Sequence, residues 1–170
     1  MTQLKQVLGL ILLLPFVSCS QSTSNDFYKR GGEHYNNQNS DSAIYYFSKA
    51  IELAPNFDSA YFYRGCAYSY GTQDYNSAIS DFTKTISLNL NFTQAYFERA
   101  VAYGKLSDYP KSLIDCNKAI EQNDSSGSYY YFRGAVKAML LDSSGSCNDI
   151  KKAASLGNKD AEAHIGDACK

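Results

Sequence analysis

The feature that most constrains this chain is a self-similarity with a stride of 34 residues. The small residues Ala43, Ala78, Ser112 and Ser146 stand 35, 34 and 34 positions apart. Phe47, Phe82, Cys116 and Ile150 follow them by four, and Ala50, Thr85, Ala119 and Ala153 by three more. Upstream runs another column of small residues, Gly31, Gly65, Ala100 and Gly134, each preceded by arginine: Arg30, Arg64, Arg99 and Arg133. A chain built this way stacks like units, each burying its apolar face against its neighbours.

Small and aromatic residues three or four apart fall on one face of a helix, so each unit reads as two amphipathic helices joined by a polar turn. The small residues let the helices approach and the rings fill the space between them. Asn36-Asn37-Gln38-Asn39, Gly71-Thr72-Gln73-Asp74 and Ser107-Asp108 supply the turns, and the one extra residue of the second unit is expected in its turn. Pro110 suits the first turn of a helix, Pro55 closes the first unit and Gly157 the last. Apolar residues at 44% against 19% charged exclude a disordered chain, and a net charge of -1 without a basic cluster excludes nucleic acid as a partner.

These columns resemble the tetratricopeptide repeat, with Ala60 to Leu88 as the clearest copy. The resemblance implies an all-α, right-handed helical solenoid of about four helix-turn-helix repeats, near 24–57, 58–92, 93–126 and 127–158, with a capping helix over 159–170. The chain departs from the pattern at Leu90 and Asp124, where a closing Pro is expected, and at Lys137, which stands where Tyr68 and Tyr103 sit. Residues 26–170 form the domain on this reading.

Ahead of it, Met1 to Ser18 carries Lys5 and then an apolar run from Val7 to Val17, too short to cross a membrane and suited to a signal peptide. Phe16-Val17-Ser18-Cys19 resembles a bacterial lipobox, which implies removal of residues 1–18 and lipidation of Cys19. An ordinary cleaved signal is the other reading. Residues 19–25 are then a flexible spacer, and the domain sits in the bacterial cell envelope, periplasmic or outer membrane associated, on a lipid anchor.

Arg64, Arg99 and Arg133 recur with Asp81, Asp115 and Asp149, which suggests a ladder of ion pairs. Pairing between neighbouring units, Arg99 with Asp81 and Arg133 with Asp115, is expected because a stack must fix its register. Tyr28, Phe62, Phe97 and Tyr131 form an aromatic column. In the family the corresponding face lines a concave groove for extended peptides or helices, so these residues, with Tyr35, Cys66 and Val101 beside them, are the expected partner-binding floor. Packing between helices is the other use of the same rings. The family's basic clamp for a terminal carboxylate is not matched, since Gly32, Tyr63, Gln94 and Glu98 occupy its places.

Cys66 and Cys116 fall on helix-face columns and read as small buried hydrophobes. Cys147 and Cys169 lie on the last paired helix and the cap, and a bridge between them would staple the cap in an oxidising compartment; four free thiols are the other state. His34 and His164 are too distant in sequence to suggest a pair, and no nucleophile motif, metal-ligand spacing or cofactor signature appears. The expected function is non-catalytic: a membrane-tethered module that binds another protein or peptide segment, without metal or cofactor. A self-associating scaffold or an accessory subunit of an envelope enzyme are its rivals.

Overall fold

The computed structural model describes residues 22–169; Cys19 and the leader lie outside them. Nine helices form among the described residues, with no strand. They are α1 (Ser24–Asn36), α2 (Ser40–Leu53), α3 (Asp58–Cys66, continued by a π turn over Ala67–Thr72), α4 (Tyr75–Leu88), α5 (Thr93–Lys105), α6 (Tyr109–Gln122), α7 (Gly127–Met139), α8 (Ser143–Ser155) and α9 (Lys159–Ala168). Each packs chiefly on its sequence neighbours, and α5 also touches α7, giving four hairpins and a cap in a solenoid. None is long and apolar enough to cross a membrane.

Helix α1 begins inside the segment expected to be spacer. The Thr23 side chain accepts from the Asp26 backbone N–H, and the Asp26 carboxylate accepts from the Thr23 N–H at 2.9 Å, a reciprocal box that satisfies two otherwise unpaired donors.

The turn within each hairpin is one structure used four times. Gln38, Gln73, Ser107 and Leu141 take positive φ of 59°, 57°, 61° and 63°. The next residue, Asn39, Asp74, Asp108 or Asp142, caps the second helix by accepting the N–H of Ser42, Ser77, Lys111 or Gly145. Because this turn is constant, the extra residue of the second repeat is not in it. It is taken up inside α3, where Ala67–Thr72 widens into a π turn.

The hairpins close around pairs in which one side's size answers the other's. A Cβ on Gly31 would meet the Phe47 ring at 2.6 Å, on Gly65 the Phe82 ring at 2.8 Å and on Gly134 the Ile150 side chain at 3.0 Å. In the third repeat the small position is Ala100, which has a Cβ, and the partner column shrinks to Cys116. Phe47, Phe82 and Cys116 are fully buried.

Candidate interaction surface

Arginine and aspartate from the two helices of one repeat meet face to face. Arg64 donates to both carboxylate oxygens of Asp81 at 2.8 Å, Arg99 to Asp115 at 2.7 and 2.8 Å, and Arg133 to Asp149 at 2.8 and 2.6 Å. The expected pairing across repeats, Arg99 with Asp81 and Arg133 with Asp115, is therefore corrected. A separation of 16 or 17 residues sets the two side chains opposite each other across a hairpin. The contact between repeats is made by the remaining guanidinium nitrogen, which reaches back to Ser48, Thr83 or Asn117 in the preceding repeat. Beneath each guanidinium lies the tyrosine three residues earlier, Tyr61, Tyr96 or Tyr130, at 5.3–5.8 Å.

Burial alone would lower Arg64 and Arg99, but the hydrogen bonds and charge of Asp81 and Asp115 outweigh it and hold both guanidiniums above their ordinary value. Lys137 departs from the tyrosine column for a reason: its ammonium reaches Asp149 at 2.8 Å as a second cation. Burial pushes the Asp149 carboxyl up, and the hydrogen bonds from Arg133 and Lys137 overcome this and leave it lowered. The first repeat has no rung, because Tyr46 stands where the aspartate would be, stacked between Phe27 and His34.

The expected aromatic floor divides. Phe62 and Cys66 are only 6% and 4% exposed and belong to the core, with Phe62 against Phe82 and Phe92 at ring distances of 5.8 and 4.8 Å. They are withdrawn from the groove. Tyr28 packs on Phe47 and Phe57 and Phe97 on Tyr129, so both chiefly serve as inter-helix packing. Val101 is half-buried, and Tyr131 turns to the cap, its hydroxyl 3.3 Å from His164. Cys147 and Cys169 are joined in a disulfide, while Cys66 and Cys116 are free and buried.

What remains open on the first-helix side centres on Tyr35 and three residues absent from the expected floor: Tyr63, Tyr70 and Glu98. Tyr35 and Tyr63 meet edge to face at 6.1 Å. The π turn carries Tyr70 across to the next repeat, where its hydroxyl donates to the Glu98 carboxylate. Tyr35 and Tyr70 also line a cleft of about 480 Å³ with Asn36, Gln38, Ser40 and Gly71. Tyr63 and Glu98 were visible in the sequence as replacements for the basic clamp; only the extra residue of the second repeat hinted at Tyr70.

One carboxylate, Glu98, adjoins the cleft through the Tyr70 hydroxyl, while the residues that line the cleft are uncharged. Burial pushes the Glu98 carboxyl up and the Tyr70 hydrogen bond pulls it partly back. Burial also raises the Tyr35 hydroxyl, to about 12, with the nearby Cys66 and Glu98 adding to it, and it raises Tyr70 and Cys66 as well. Among the described residues Glu98 makes no salt bridge.

Residues 27–57 match the family described as Tetratricopeptide repeat. No curated protein matches the chain. Among solved structures, one described as the crystal structure of MamA protein aligns with a TM-score of 0.79 at 21% identity over 85% of this chain and 80% of that one. MamA from Desulfovibrio magneticus RS-1 aligns with 0.81 at 16% identity over 87% and 84%. The first TPR of Spaghetti (RPAP3), bound to the HSP90 peptide SRMEEVD, aligns with 0.68 at 19% identity over 70% and 94%. At these identities the likeness establishes the fold, a tetratricopeptide-type solenoid.

Proposed function

We propose that the chain is a non-catalytic docking module whose first-helix face holds a segment of a partner protein, tethered to a bacterial envelope membrane through a lipid on Cys19. The observation that carries the docking reading is the cleft between the first two repeats, where Tyr35 and Tyr70 offer aromatic surface beside the amides of Asn36 and Gln38. Rings of this kind contribute large contact area with few rotors to immobilise. Support also comes from the neighbour with an HSP90 peptide bound, an instance of this fold holding a chain segment. A photo-crosslinking residue in place of Asn36, exposed on the cleft rim, is expected to capture a discrete partner in intact cells, and one in place of exposed Asn117 is not. Equal capture from both positions, or none from Asn36, ends this reading. The tether is checked separately: Cys19→Ala is expected to abolish incorporation of a labelled fatty acid and to release the chain from membranes.

A scaffold that associates with itself has one specific observation behind it, the exposed apolar corner Met139-Leu140-Leu141, with Leu141 90% accessible. Light scattering of the pure protein decides it: a mass that rises with concentration favours the scaffold, and a constant monomer mass removes it.

A further inference from the structure

We infer that the Glu98 carboxylate, which adjoins the cleft of Tyr35 and Tyr70 through the Tyr70 hydroxyl, takes a lysine or arginine side chain of a partner segment docked in that cleft, so that the segment is basic at the position facing Glu98. The inference rests on the docking reading and adds the chemistry of its occupant. Glu98 is a half-buried carboxylate whose hydrogen bond among the described residues comes from the neutral hydroxyl of Tyr70. The three aspartates of the ladder, by contrast, each have a guanidinium in their own repeat. A charge taken out of water without a counter-ion favours any ligand that supplies one.

The surroundings select the kind of cation. One carboxylate does not hold a metal ion, and no group of three His, Cys, Asp or Glu side chains forms a metal site among the described residues. Tyrosine faces beside a carboxylate suit an organic cation, whose stem lies on the rings while its head meets the charge. Asn36 and Gln38 on the cleft wall carry amides that can donate to and accept from an extended backbone. The same site repels a terminal carboxylate, which agrees with the unmatched clamp. The two geometric elements, the π turn and Glu98, come from different repeats, so the site exists only in the stacked array.

The test selects binders for the full chain, purified in detergent and immobilised, from a phage-displayed library of random dodecapeptides. The inference expects enrichment of sequences with lysine or arginine next to an aromatic or apolar residue. The selected peptide should bind Glu98→Gln about tenfold more weakly, and Tyr70→Phe should also weaken it, while the unfolding midpoint of Glu98→Gln is not lowered. Enrichment of acidic or wholly apolar peptides that crosslink to a probe at Asn36 overturns the inference and leaves the docking reading standing. Basic peptides that bind Glu98→Gln as tightly as the unaltered chain also overturn it. Failure to enrich any peptide overturns both.

Discussion

Arg99 holds Asp115 of its own repeat at 2.7 and 2.8 Å and Thr83 of the preceding repeat at 3.0 Å, so one guanidinium ties three helices together. The Asp115 side chain is 5% exposed and that of Arg99 17%, which makes the pair costly to separate. Asp115→Ala is expected to destabilise by about 3 kcal/mol, because it strands a largely buried guanidinium. In a double-mutant cycle by urea unfolding, Arg99→Ala and Asp115→Ala should be strongly non-additive, whereas Arg99→Ala and Asp81→Ala should come closer to additivity. Stronger coupling of Arg99 to Asp81 than to Asp115 would contradict the observed register.

The size match between helices predicts a compensation. Gly65→Ala places a methyl 2.8 Å from the Phe82 ring and is expected to cost about 1–3 kcal/mol from overpacking, offset in part by about 1 kcal/mol of helix propensity. Phe82→Cys alone opens a cavity and should cost about 3 kcal/mol or more. Combining the two recreates the Ala100 and Cys116 arrangement of the third repeat, and the double variant should lose less stability than the sum of the single ones. Thermal unfolding of the four proteins measures this directly; simple additivity would mean that the columns are not matched in volume.

The repeat, its two helices and the burial of Phe47 and Phe82 were legible because period and side-chain size are properties of sequence. The pairing of the ladder was not, since spacing by whole repeats assigns a column and leaves its partner undecided. Geometry within the hairpin decides in favour of the aspartate 16 or 17 residues on. Phe62 and Cys66 shared a face with Tyr35 by sequence position, yet contact with Phe82 and Phe92 draws Phe62 inward. Tyr70 was hidden for a different reason. A single added residue looks the same in a turn as in a helix, and only the constant positive-φ turn at Gln73 forces it back into α3 as a π turn.

Glu98 sets a pH signature. Its carboxyl is raised above the ordinary value of 4.5, chiefly by burial, so the folded state binds the proton more tightly than the unfolded chain. The ionised side chain therefore costs stability above the raised value, and that cost fades as pH falls through it. Glu98→Gln removes the charge while keeping an oxygen that can accept from Tyr70. The variant is expected to be more stable than the parent at pH 7 and equal to it well below 4.5. Melting curves across this range decide the matter, and a variant less stable than the parent at pH 7 would show Glu98 to be a structural prop. A stabilising substitution that weakens binding is the behaviour of a group retained for function.

The cap depends on a covalent tie more than on its own core. Helix α9 has ten residues, short of the length at which helices are stable alone, and its buried contribution to the last cluster is Ala161 beside Ile150 and Ala153. The Cys147–Cys169 bridge closes a loop over a separation of 22 residues, for which chain entropy gives about 3 kcal/mol. Reduction should therefore release α9 first, exposing Ile150 and Tyr131, and should leave the Arg64 and Arg99 rungs intact. Hydrogen exchange with and without dithiothreitol measures this residue by residue: amides of α9 should lose protection on reduction while those of α3 to α6 keep theirs. Cys169→Ser should reproduce the effect without reductant. Unchanged protection across α9 in the reduced protein would place the stability of the cap in its packing and make the bridge incidental.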